Sequence, residues 1–382
     1  MNYRALFYCI TLLVATAISS NAVIRMPRVF SEHMVLQAGK PIPVWGTAEP
    51  GETITVSIAE QTKITTADTE GNWTVALEPL SPGSLPTLVV KGSSGHKREI
   101  GDVIVGEVWL CSGQSNMAMA VSKAWDFEQE KATAHWHDIR MFQANKWIVC
   151  SPETVGSFSA TAYFFGREIH RIIGRPVGLL NISSGGNPIS LWTSLEAQQA
   201  VPELKLIMAP YNEAVMASRE DAQQAESDRQ HAVETEGKKA VAQMKTPPGY
   251  LFDDRILPIV PFAITGVIWY QGEADSYTVN ANLYGIQLET LIKDWRRRWG
   301  YDFPFISVQL PEIGSPQTQP SQTHGRVLVR EGVLKSLNLP NTGMAITLGT
   351  GEEKTIIPPT NRKWDAAWQC GHSHRITDKK MW

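Results

Sequence analysis

Gly113-Gln114-Ser115-Asn116-Met117 decides the reading of this chain. It follows the apolar run Val103–Leu110, which has the composition of a strand buried on both faces. A serine set between a glycine and small polar residues at a strand end can project its hydroxyl into a cleft. That is the placement a nucleophilic serine needs.

Working outward, three more apolar, β-rich runs follow: Val177–Ile182, Gly266–Trp269 and Phe303–Gln309. Helical patterns over residues 160–173 and 282–298 lie between them. Strands and helices in alternation predict an α/β fold with a doubly wound parallel sheet. Ahead of it, residues 24 to about 100 read differently. Thr53-Ile54-Thr55-Val56-Ser57-Ile58 alternates polar and apolar, and turns fall at Glu49-Pro50-Gly51-Glu52 and Glu70-Gly71-Asn72. Short strands at this spacing predict an N-terminal β-sandwich domain. The reading divides the chain into a signal peptide (1–22), an accessory domain (23–100), a second domain (101–354) and an aberrant tail (355–382). Residues 195–245, rich in Ala, Gln, Glu and Lys, read as a helical insertion with a solvated face, or as a lid over the site.

Composition narrows the function classes. Hydrophobic residues make up 43% and charged residues 19%, as in a globular protein with a sizeable core. The net charge is -3 with no basic stripe, which excludes nucleic acid as the expected partner. Arg4, the apolar segment Leu6–Ala17 and Ser20-Asn21-Ala22 have the order of a secretory signal, and the apolar run is short for a bilayer span. The expectation is a secreted or periplasmic protein with no membrane contact after cleavage; an N-terminal anchor is the alternative. Cys111 and Cys150 read as buried thiols, Cys9 leaves with the signal, and no metal spacing is evident. The 13 tryptophans are expected in the core, with sugar stacking as the alternative.

Two further segments follow strands and carry chemistry. In Ser184-Gly185-Gly186-Asn187-Pro188-Ile189, consecutive glycines let backbone N–H groups approach a ligand closely, which suits an oxyanion hole. Gly186 is the expected donor and Gly185 the near alternative. In Trp269-Tyr270-Gln271-Gly272-Glu273-Ala274-Asp275, a side-chain amide can donate to a tetrahedral oxyanion.

Taken with Gly106-Glu107-Val108-Trp109-Leu110-Cys111-Ser112, the Ser115 segment resembles the first block of the carbohydrate acetylesterases of the SGNH hydrolase superfamily, the sialate O-acetylesterase family. It is not the G-x-S-x-G elbow of α/β-hydrolases, because Met117 replaces the second glycine. Met34-Val35-Leu36-Gln37 with Pro43-Val44-Trp45-Gly46, Trp192-Thr193-Ser194, and Asp294-Trp295-Arg296 with Trp299-Gly300 extend the similarity over about residues 24–350. The resemblance implies an SGNH-type sheet and a serine esterase acting on an acetylated carbohydrate, sialic acid first. Ser115 would be its nucleophile, and Gly186 and Gln271 would join the Ser115 N–H as oxyanion donors. Asn116, Asn187 and Glu273 would lie towards the substrate. No metal or organic cofactor is implied. An acetylxylan-type esterase and a non-catalytic carbohydrate-binding protein are the alternatives.

The family draws its histidine and orienting carboxylate from a late Asp-x-His-Pro segment. Here Asn341-Thr342-Gly343-Met344-Ala345-Ile346-Thr347 is followed by Gly351-Glu352-Glu353-Lys354-Thr355-Ile356-Ile357-Pro358-Pro359, without them. From the Thr360–Asn361 junction onward, joining the last base of each codon to the first two of the next permits KQEVGRRLAMWALAQDY. This string is similar to the family's C-terminal helix. Its glycine and first alanine are forced, since tryptophan has a single codon. The reading is a frame change near residues 350–358, with a genuinely divergent terminus as the alternative; His372 and His374 have nothing in the sequence to position them. Nucleotide sequencing around codon 355 should show codons compatible with the offset peptide; incompatible codons would end the idea.

Overall fold

The computed structural model describes residues 23–205, 207–208, 246–277, 281–313 and 324–349. The signal segment, most of the insertion and the tail therefore lie outside the described residues.

Fourteen strands are described, β1 (Val35–Gln37), β2 (Ile42–Thr47), β3 (Thr53–Ile58), β4 (Gln61–Thr66), β5 (Asn72–Leu77), β6 (Leu88–Gly92), β7 (Lys97–Ile100), β8 (Ile104–Gly113), β9 (Ile139–Gln143), β10 (Lys146–Val149), β11 (Val177–Ser183), β12 (Gly266–Tyr270), β13 (Phe305–Val308) and β14 (Thr342–Ala345). Antiparallel pairing joins β2 to β5 and, separately, builds the sheet β4-β3-β6-β7. The alternation read in Thr53–Ile58 is real: Ile54, Val56 and Ile58 are buried while their neighbours are half-buried or exposed. Val44, Val75 and Leu77 of the other sheet are buried in the same core cluster.

The large sheet runs β10-β9-β11-β8-β12-β13-β14. Every pairing from β9 to β14 is parallel, and β10 adds an antiparallel edge. All ten residues of β8 are buried, Glu107 and Ser112 included, in a strand whose sequence is mostly apolar. β1 departs from its place in sequence, pairing in parallel with the start of β8 rather than with the N-terminal sheets. Gln37 makes that join. Its side-chain oxygen accepts from Val108 N–H at 2.8 Å, and its amide donates to Glu107 at 3.1 Å. Glu107 also accepts from Arg175 at 3.0 Å, which satisfies a carboxylate that burial would otherwise make costly.

Helices follow the strands: α1 (Ser115–Ala118), α2 (Phe127–Thr133), α3 (Ala160–Ile173), α4 (Leu195–Gln199), α5 (Glu273–Ser276), α6 (Tyr284–Trp299) and α7 (Gly325–Lys335). No helix among the described residues is long and apolar enough to cross a membrane. Of the predicted insertion, residues 195–205 and 207–208 are described, and α4 is the helix that opens it.

The core reading of the tryptophans holds for most of those described. Trp192, Trp269, Trp295 and Trp299 form a chain of edge-on and tilted contacts, with centroids 5.9–6.4 Å apart. Trp295 Nε1 donates to the Trp192 carbonyl at 3.0 Å, fixing α6 against the segment that precedes α4. Trp125, 63% exposed, is the exception. Cys111 and Cys150 are free buried thiols, and burial pushes Cys150 up to about 12. Trp295→Ala removes the middle of the tryptophan chain and should cost about 3–5 kcal/mol, read as a lower urea midpoint at unchanged slope. A midpoint shift below about 1 kcal/mol would show that the chain of rings is not a stabilising unit.

Candidate active site

The site forms where β8, β11 and β12 end. Gly113 closes β8 with φ +139°, and a Cβ built on it would lie 2.0 Å from the Tyr270 carbonyl oxygen. The missing side chain lets the backbones close up: Gln114 N–H donates to Tyr270 O at 2.9 Å, and Ser184 N–H donates to Gly113 O at 3.0 Å. Three loops are thereby stitched together around one residue. Ser115 is the first residue of α1 and is half-buried at the surface of this junction.

Helix α3 braces the other side of the Ser115 loop. Its N-cap, Ser159, accepts from Ala162 N–H and donates to Met117 O at 2.6 Å. Thr161 donates to Asn116 O at 3.0 Å. Two hydroxyls of one helix terminus thus fix the two residues after the serine.

Gly185 faces Ser115 closely: a Cβ added there would sit 3.7 Å from the serine Cβ. Gly186 has φ +73° and open space on its Cβ side. Both glycines are exposed and lie at the accessible edge of the junction. Among the described residues, the N–H groups of Ser115, Gly185 and Gly186 have no hydrogen-bond acceptor. Asn187 folds its amide back onto Ser184 Oγ at 2.9 Å and Gly185 O at 3.0 Å, bracing the turn from within.

Gln271 joins the cluster but is fully buried. Its Nε2 donates to Asp275 Oδ2, and it lies 3.1 Å from Asn187 O and 3.2 Å from Gln114 Oε1. An amide has two hydrogens. The bond to the carboxylate takes one, and the other is shared over two long contacts. The Tyr284 hydroxyl lies 3.0 Å from both Gln271 oxygens.

Asn116 and Glu273 do not face the cleft. Asn116 Nδ2 donates to Glu273 Oε1 in the interior, where the two residues are 0% and 2% exposed. The structure thus shows these two residues, expected from sequence to lie towards the substrate, paired with each other in the interior. Burial raises the Glu273 carboxyl, while its amide partner and the Arg326 guanidinium partly oppose the shift.

Asp275 and Gln114 are the members the sequence reading left without a role. Asp275 accepts from Gln271 and from the Ile189 N–H, the latter at 3.0 Å. Burial pushes its carboxyl up to about 6. Its four-residue spacing from Gln271 was the available signal. A group whose folded pKa is raised stabilises the fold when protonated, an effect complete below its ordinary 3.8 and lost as pH rises through about 6. At neutral pH Asp275 is thus ionised at a cost to stability. No histidine among the described residues hydrogen-bonds Ser115, and none of their His, Cys, Asp and Glu side chains form a metal-binding group of three.

Residues 105–235 and 252–356 match the family of carbohydrate esterases described as sialic acid-specific acetylesterases. Mouse sialate O-acetylesterase is 28% identical over 393 residues, covering 89% of this chain and 70% of the mouse protein. The human enzyme is 27% identical over 370 residues, covering 85% of this chain and 65% of the human protein, so the chain spans about two thirds of these relatives. A crystal structure of a carbohydrate acetylesterase from Xanthomonas citri is similar with a TM-score of 0.73 at 28% identity, covering 91% of this chain and 75% of that one.

The two glycines should respond differently to an added methyl. Gly113→Ala drives a Cβ into the Tyr270 carbonyl from a backbone region that only glycine occupies readily, and should cost about 2–4 kcal/mol. Gly186→Ala meets nothing and should cost about 1–2 kcal/mol for its left-handed backbone alone. Urea titration compares them, and equal losses would contradict the junction described here.

Proposed function

Because this chain belongs to the sialic acid-specific acetylesterase family of carbohydrate esterases, we propose that it is built to remove O-acetyl groups from carbohydrates through an acyl-enzyme on Ser115. The observation that carries this reading is Ser115 held against Gly185 beside three unspent backbone N–H groups. An ester carbonyl attacked by Ser115 develops negative charge on its oxygen, and donors already fixed in place stabilise that charge without reorganising. Ser115, Gly186 and Gln271 take the roles of nucleophile and oxyanion donors, with Gly185 the nearer glycine to the serine. Gln271 contributes the hydrogen that its bond to Asp275 leaves over, turned away from its two long contacts. Asn187 shapes the glycine turn at the edge of the site. The parallel sheet and its three terminal loops support an SGNH-type arrangement, and the two antiparallel sheets ahead of it support the accessory sandwich.

A serine hydroxyl attacks only when a base takes its proton. The family's Asp-x-His-Pro segment is missing from the chain as written. The chain as written is therefore a weak esterase, and the chain with its offset frame restored is the active one. With p-nitrophenyl acetate, the restored chain should turn over at least about a thousandfold faster, and Ser115→Ala should abolish the gain. Equal rates in both chains, or a gain that survives Ser115→Ala, would refute this assignment. Acetate release from O-acetylated sialic acid but not from acetylated xylan selects the first substrate class; the reverse selects the second. Sugar binding without turnover in the restored chain selects the binding-protein reading, which the missing histidine segment favours.

A further inference from the structure

Asp275 occupies a position that its motif alone does not explain. It is 4% exposed, and one of its two carboxylate oxygens, Oδ2, meets donors from two different loops. Gln271 approaches from the end of β12, and the Ile189 N–H from the far end of the glycine turn that begins at Ser184. The same turn comes back to Gln271 through the Asn187 carbonyl at 3.1 Å. Gln114 closes the circuit to the serine loop, since its Oε1 accepts from Gln271 at 3.2 Å and from the Ala274 N–H at 3.3 Å.

We propose that Asp275 is the positioning residue of this site, a clamp that holds the Gln271 amide and the glycine turn at one spacing. It also decides which amide hydrogen is spent. One is committed to the carboxylate, so the other is directed to the side where Asn187 O and Gln114 Oε1 lie and where a ligand oxygen can compete for it. A charged acceptor makes the stronger bond, so the commitment is asymmetric. The clamp is fully closed only when Asp275 is ionised. Burial is the largest cause opposing that ionisation; the bonds from Gln271 and Ile189 favour it, and Glu273, two residues away, opposes it. Tyr284 faces the same cluster and stays a phenol, pushed well above its ordinary range by burial. Arg326 acts on Glu273.

The inference rests on the acyl-transfer reading for its consequence but not for its test. Nitrogen-15 NMR of the full chain follows the Gln271 side-chain amide and the Ile189 backbone amide as pH is raised. Both should shift downfield together with one midpoint near 6. In Asp275→Asn neither should titrate, and the Gln271 side-chain protons should exchange with solvent at least about tenfold faster. Different midpoints, no movement, or a titration that persists in Asp275→Asn would overturn the clamp. If that variant does not fold, the paired titration in the unaltered chain decides alone. A clamp that titrates as described in a protein whose frame-restored form shows no Ser115-dependent turnover would sink the esterase reading and leave the clamp standing.

Discussion

No side chain fits at Gly113, and the site depends on that. The central strand ends with its backbone pressed against Tyr270 on one side and Ser184 on the other, through hydrogen bonds of 2.9 and 3.0 Å around one residue. A Cβ would sit 2.0 Å from the Tyr270 oxygen and pry those strands apart. Because they close, the loops that follow β8, β11 and β12 emerge at the same level, and Ser115, Gly185 and Gln271 come together without any contact in sequence. The carboxyl ends of parallel strands are where an α/β sheet places a ligand, and here backbone geometry does the placing.

Behind that junction the polar groups brace one another rather than the solvent. Asn116 with Glu273, Gln271 with Asp275 and Tyr284, and Gln114 with Ala274 form bonds among residues of two loops and helix α6. Each buried polar group needs its partner, since an unmet one costs about 1–3 kcal/mol. The result is a rigid support beneath a small exposed patch of backbone donors. Two carboxylates held upward in pKa by burial are the stability cost of this arrangement, and such costs concentrate where a protein does chemistry.

Much of this was legible in the residues. The largely apolar run ending near Leu110 announced a strand buried on both faces, and the alternation of Thr53–Ile58 announced a half-buried one. The glycine of the motif marked the junction of strand ends, because backbone closeness leaves a trace in composition. The illegible part is long-range. Nothing local in Met34–Gln37 says that β1 pairs with β8, because a three-residue strand is chosen by its partner, through Gln37. Asn116 and Glu273 read as polar residues beside a nucleophile, yet they turn inward because each supplies a partner for the other. Asp275 stood in plain view four residues after Gln271, but its second partner, the Ile189 N–H, is 86 residues away.

The central claim is that Ser115 is the nucleophile of this junction. Acid-quenched mass spectrometry of the frame-restored chain mixed with p-nitrophenyl acetate tests it most directly. The account predicts one acetyl group on the peptide that contains Ser115, localised to that residue and released on further incubation. Turnover with the acetyl group found on another residue, or with no covalent acetyl at all, would contradict it.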